Sequence, residues 1–161
     1  MKVSELMAKN IRTCVPHETL NEVAKKMWDG DCGCVPVVDA DGKPIAMVTD
    51  RDVCMAAFLT GEPLHRIPAK SAASQYVQTV RDDDSLEAAL SLMHKFQVRR
   101  LPVVAAEGGR LVGVLSTADI LRHTEQANDQ AARSRLTWSL SGISKPWSRS
   151  MAIQLLPRAE A

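Results

Sequence analysis

The sequence predicts a mixed α/β (α+β) fold: two pseudo-symmetric repeats packed through their small β-sheets, with the helices outside. Three observations predict it. An internal repeat runs to about residue 124, each copy joins a helical apolar period to short β-branched runs, and a turn signal separates those runs in both copies. Sliding the chain by 66 positions lays Thr79 on Thr13, Ser85-Leu86 on Thr19-Leu20, and Pro102-Val103-Val104 on Pro36-Val37-Val38. One extra residue then enters near Gly108-Gly109, after which Ser116-Thr117-Ala118-Asp119 lies over Thr49-Asp50-Arg51-Asp52. A hairpin turn tolerates a one-residue insertion, so the change of register supports the alignment.

Each copy reads as strand, helix, strand, turn, strand, helix. Thr13-Cys14-Val15-Pro16 and Thr79-Val80-Arg81 are the opening strands. Leu20, Val23, Ala24 and Met27 follow the i, i+3, i+4, i+7 spacing of an amphipathic helix, as do Leu86, Ala89, Leu90 and Met93. Thr19 and Glu22 have capping-box spacing and mark where the first helix begins. Val35-Pro36-Val37-Val38 and Leu101-Pro102-Val103-Val104 read as buried strands, their prolines pointing to a strand start or edge. Asp39-Ala40-Asp41-Gly42 and Glu107-Gly108-Gly109 are the turns, and Ile45–Val48 and Leu111–Leu115 the return strands. The closing helices run from Arg51 to Leu59 and from Thr117 to Thr124. One such unit cannot cover both faces of its sheet, so two copies are expected to close on a shared core.

On this reading residues 1–60 are the first repeat, 61–74 a connection, 75–124 the second repeat and 125–161 a C-terminal extension. Gly61, Pro63 and Pro68 punctuate the connection, with room for a short helix matching Val3 to Met7. Residues 125–135 can extend the last helix. From Trp138 to Ala161 the chain is Ser-rich and carries Gly142, Pro146 and Pro157 without a clean period. That segment is expected to be disordered, or ordered only against a partner.

Composition narrows the function classes. With 45% hydrophobic but only 4% aromatic residues, the core must be aliphatic. A formal charge of +1 gives no global field toward nucleic acid or an anionic membrane. The N-terminus has no signal-peptide h-region and no apolar run is long enough to span a bilayer, so a cytoplasmic protein is expected. In a reducing compartment Cys14, Cys32, Cys34 and Cys54 are expected as free thiols.

These residues resemble the CBS domain, which occurs in tandem pairs called Bateman modules. The first copy carries Gly33-Cys34-Val35-Pro36-Val37-Val38-Asp39 and Val48-Thr49-Asp50-Arg51-Asp52. The second carries Gln97-Val98-Arg99-Arg100-Leu101-Pro102-Val103-Val104 and Leu111-Val112-Gly113-Val114-Leu115-Ser116-Thr117-Ala118-Asp119. Among whole proteins the chain looks like small bacterial two-CBS proteins. The resemblance implies a non-enzymatic sensor that needs no cofactor. It would bind an adenosine-containing ligand in the cleft between repeats: AMP, ADP, ATP, S-adenosylmethionine, NAD or a cyclic dinucleotide. It also implies a homodimer that signals to an effector protein. Val53, Ala56, Ala57, Ile120 and Leu121 offer small or apolar surface for the dimer.

Candidate site residues follow. Thr49-x-x-Asp52 and Ser116-x-x-Asp119 each end a strand and open a helix, which by itself makes a hydroxyl cap with an acid in the first turn. By resemblance, the Asp also accepts hydrogen bonds from a ribose diol. Arg99-Arg100 is either a solvated strand start, an ion pair with Asp82-Asp83-Asp84, or a phosphate clamp of paired donors. The first copy has Gly33-Cys34 there, so the site around Asp119 is expected to suit a charged nucleotide better. By resemblance, the backbone at Thr13, Val15, Thr79 and Val80 reads the adenine edge; otherwise these are ordinary strand residues.

Two other classes stay open. A ligand-free scaffold would only dimerise and present its basic tail. A metal- or redox-responsive protein would use Cys32-x-Cys34 with Cys14, Cys54 or His17, although that spacing is short of a structural zinc pair. His94 and His123 stand in no catalytic arrangement, and no Gly-rich phosphate loop is present.

Overall fold

The computed structural model describes residues 1–74, 76–126 and 129–144. In the first half the order is α1 (Val3–Leu6), α2 (Leu20–Asp29), β1 (Cys34–Val38), β2 (Pro44–Thr49) and α3 (Asp50–Thr60). A 3-10 turn at Leu64–Arg66 and α4 (Ala69–Ala72) lead into the second half. There follow β3 (Val80–Arg81), α5 (Leu86–Phe96), β4 (Arg100–Val104), β5 (Leu111–Ser116), α6 (Thr117–Gln126) and α7 (Gln130–Ile143).

The repeat is visible in the register. β1 pairs antiparallel with β2, with Cys34 opposite Thr49 and an irregularity between Val37 and Val38. β4 pairs with β5 in the same way, with Arg100 opposite Ser116 and the irregularity between Val103 and Val104. The turns need left-handed backbone at Gly42 (φ 76°) and at Gly108 and Gly109 (φ 76° and 67°), a region glycine enters without a Cβ clash.

The opening strands are shorter than expected. Thr13–Pro16 contributes a single parallel bridge, Cys14 to Val37, and the second copy a two-residue strand, β3 beside β4. Proline is the reason. Cys14 donates to the Pro36 carbonyl at 3.0 Å and accepts from Val38 N–H at 2.9 Å. The next rung of a parallel ladder would need an N–H at residue 36 donating to the carbonyl of residue 12, and proline has none. Pro102 limits β3 by the same rule. Both prolines therefore lie within strands, opposite Met47 and Val114, and end the ladder on the other side.

Among the described residues there are two apolar cores rather than one shared core, and they exchange their short helices. Val3 and Leu6 of α1 pack with Leu86, Leu90, Leu101 and Leu115 of the second half. Ile67 and Ala69 pack with Leu20, Val23, Val35 and Val48 of the first. Backbone bonds fix the exchange: Val3 N–H donates to Asp84 O at 2.9 Å, and Leu20 N–H to Ile67 O at 2.8 Å. The segment after α1 bridges Ala8 to Val114 beside Gly113, where a Cβ would come within 2.6 Å of Met7 Sδ.

The region expected as an irregular tail from Trp138 is helical as far as Ile143. Asp129 caps α7, accepting the Ala132 N–H at 2.9 Å. Ala132, Leu136, Ser139 and Ile143 recur at helical spacing and are buried in the second core. Ser139 Oγ donates to Leu90 O at 3.0 Å, Trp138 stacks on His94 at 4.1 Å, and Gly142 leaves room for that imidazole, which a Cβ would meet at 2.4 Å. The period was hidden because its stripe is built largely from Ala, Ser and Gly. The rest of the expected tail, with Lys145, Arg149 and Arg158, lies outside the described residues.

Candidate functional site

A cavity of about 450 Å³ opens between the repeats. The second half contributes Arg100 from the start of β4, Ser116 from the end of β5, and Asp119 and Arg122 from α6. The first half contributes Ile11 and Arg12, then Asp31 and the run Cys32-Gly33-Cys34 into β1, with Pro36 behind them. The proline that stops the ladder at Cys14 keeps the backbone of Ile11 and Arg12 off the sheet, beside this space.

Asp119 is held from two sides. Its Oδ2 accepts Ser116 N–H at 2.9 Å and Ser116 O–H at 2.5 Å, while its own N–H donates to Ser116 Oγ at 3.1 Å. Its Oδ1 accepts the Arg122 guanidinium, and its side chain is 14% exposed. Thr49 and Asp52 form the same box, at 2.8, 2.7 and 3.2 Å. The capping reading therefore holds at both turns.

Gly33 explains how Arg100 fits. A Cβ at Gly33 would lie 3.4 Å from Arg100 Nη2 and 3.1 Å from Asp50 Oδ2, so the bare backbone leaves space for both side chains. The expectation that Gly33-Cys34 lacks a cation holds for its own repeat, but the fold lends it Arg100 from the other. Beside that guanidinium the Cys34 thiol is still pushed up by burial, with Cys32, Asp50 and Asp119 adding to the shift and Arg100 opposing it. Cys14, enclosed under α2, is pushed up to about 11 by burial, with Glu18 adding and Lys26 opposing. Both thiols are protonated near neutrality.

Of the ligand-contact residues expected from sequence, Asp119, Ser116 and Arg100 meet in the cavity, which Cys32 and Cys34 of the metal or redox reading also line. The others do not line it. Arg99 turns its carbonyl to Thr117 N–H at 3.0 Å. Val80 is buried in β3 opposite Val103, with Thr79 just before it. Thr13 borders a smaller hollow of about 300 Å³ with Arg110, and Val15 donates its N–H to Glu18 Oε1 at 3.0 Å. Thr49 and Asp52 sit on the equivalent turn outside the cavity. The segment that shares the cavity with Asp119 is therefore the one before Thr13, from the opposite repeat, and not Thr79-Val80.

Sequence reasoning missed Arg12 and Arg122. Arg122 was findable, since it stands at i+3 from Asp119 on one helix. Arg12 gives no local signal, because only the closing of the repeats brings it here. Of the residues expected to offer apolar surface, Val53 and Ile120 are buried in their own cores while Leu121 is 44% exposed; Phe58 and Leu59 on α3 are exposed as well, at 78% and 74%. Among the described residues no three His, Cys, Asp or Glu side chains converge as a metal site, and no helix is long and apolar enough to cross a membrane.

The comparisons agree with this architecture. Hypoxic response protein 1 of Mycobacterium tuberculosis is 36% identical over 112 residues, covering 69% of this chain and 77% of that protein. A crystal structure of Hypoxic Response Protein I, with two coordinated zinc ions, superposes with a TM-score of 0.69 at 31% identity, over 76% of this chain and 98% of that one. The CBS domain protein PAE2072 of Pyrobaculum aerophilum, solved in complex with AMP, gives a TM-score of 0.69 at 27% identity, over 85% and 98%. The CBS domain family matches residues 3–58 and again 69–125, and the chain belongs to that family as a tandem pair.

Proposed function

We propose that this CBS pair is a regulatory module that binds an adenosine-containing ligand in the cavity between its repeats and catalyses no reaction. The observation that carries the reading is Asp119: a largely buried carboxylate at a helix start, fixed by Ser116 and facing a cavity of about 450 Å³ that both repeats build. That volume suits a small ligand. Arg100 and Arg12 come from different elements and offer paired donors to phosphate oxygens. The AMP-bound relative supports the adenosine class, and a cytoplasmic location belongs to the same reading. The adenine edge is met by the backbone near Ile11 and Arg12.

Because the walls belong to separate repeats, a ligand touching both favours one relative orientation of them, and the helices carry that preference outward. An effector protein or a second copy reads it. The exposed Phe58 and Leu59 on α3 are the apolar surface for a homodimer.

A thermal-shift screen with AMP, ADP, ATP, S-adenosylmethionine and NAD tests the reading. A ligand at 100-fold its Kd raises stability by about 2.7 kcal/mol. A shift that disappears in Asp119→Ala supports the sensor. No shift with any compound at millimolar concentration overturns it and leaves the ligand-free scaffold.

A further inference from the structure

We infer that Arg122 is a selectivity latch on the ligand cavity, setting phosphorylated nucleosides above unphosphorylated ones; the inference rests on the adenosine reading of that cavity. The argument starts from the lone pairs of Asp119. Each carboxylate oxygen has about two acceptor positions. Those of Oδ2 are taken by the Ser116 N–H and O–H. A diol that donates through both hydroxyls must therefore take both positions of Oδ1, one of which the Arg122 guanidinium holds. Ligand entry exchanges one donor for another on the same oxygen.

The displaced guanidinium has a place to go. Arg122 is 68% exposed, its stem rises one turn along α6 from Asp119, and it borders the same cavity as Arg12 and Arg100. Parting a guanidinium from a carboxylate is unfavourable unless another anion receives it. A phosphate receives it with matching paired donors, whereas a neutral nucleoside offers nothing in return. One residue thus opposes the sugar of every ligand and rewards only those that bring an anion.

Isothermal titration of AMP and of adenosine into wild type, Arg122→Ala, Arg122→Lys and Asp119→Ala tests this. In Arg122→Ala, AMP binds about tenfold more weakly, as expected for losing one charge-assisted contact, and adenosine binds as tightly as before or tighter. Arg122→Lys falls between, because a point charge lacks the paired fork. A merely structural role for Arg122 would move both ligands in one direction, and its exposure makes a folding defect simple to detect by melting. If Arg122→Ala leaves the AMP-to-adenosine ratio unchanged while Asp119→Ala loses binding, the latch is overturned and the sensor stands. If wild type binds neither ligand, the latch is overturned, and the sensor falls with it only where the thermal-shift screen is also empty.

Discussion

The Ser116 hydroxyl and the Asp119 carboxylate hold each other in both directions: the hydroxyl donates to Oδ2 at 2.5 Å and accepts the Asp119 N–H at 3.1 Å. Thr49 and Asp52 repeat the arrangement at 2.7 and 3.2 Å, yet they sit outside the cavity. Stability and binding therefore separate. Asp52→Ala and Asp119→Ala should each lower stability by about 1 kcal/mol through the lost cap. Only Asp119→Ala should also lose the ligand-induced rise in Tm. Paired calorimetric scans with and without AMP check this; equal loss of ligand response in both variants would contradict the assignment.

Pro36 predicts a gain of one interaction at the expense of another. Pro36→Val restores an N–H that can reach the carbonyl of residue 12 and lengthen the parallel pairing beyond Cys14. The backbone of Ile11 and Arg12 would then move toward the sheet and narrow the cavity. The expected outcome is an unchanged or higher Tm with ligand affinity reduced several-fold, measured by titration. Slower amide exchange at residues 36 and 14 would report the new rung.

Leu136 is 2% exposed and packs α7 onto the second core. Leu136→Ala should lower stability by about 2–4 kcal/mol, the usual loss for a buried Leu-to-Ala change. A value near zero in urea denaturation would show that α7 does not belong to the cooperative unit.

Cys14 gives a pH dependence. Its folded value, about 11, lies above the ordinary 9.0, so folding favours the neutral thiol. Below pH 9 neither state ionises and the contribution is fully present. Between about 9 and 11 the unfolded thiol loses its proton while the folded one keeps it, and stability falls by about 3 kcal/mol in all. Cys14→Ala should flatten this limb relative to wild type, measured by denaturant midpoints across that window. At pH 7.5 a thiol reagent should label Cys54, which is exposed, well before Cys14.

What the sequence reveals here is what neighbours along the chain decide. Thr19 with Glu22, Thr49 with Asp52 and Ser116 with Asp119 are contacts within one turn, so spacing alone finds them. The β-branched runs around Pro36 and Pro102 are buried for the same local reason. Arg12 and the α1 exchange depend on how two sheets close, and no local period encodes that. Val53 and Ile120 illustrate a narrower limit: apolar spacing shows that a face will be covered but not whether its cover is the chain's own core or another molecule. In α7, Ser139 and Gly142 are chosen for close approach to α5, which a hydrophobic pattern does not register.

The exchanged position of α1 also bears on synthesis. Val3 and Leu6 leave the ribosome well before the walls that enclose them, from Val80 to Ile120. The first repeat can assemble once Ile67 and Ala69 have appeared, while Val3 and Leu6 wait unsheltered. The α1 segment is thus among the last parts to be seated, and a bulky group attached at Met1, whose carbonyl accepts Leu86 N–H at 3.1 Å, would hinder the closing of the second half more than the first.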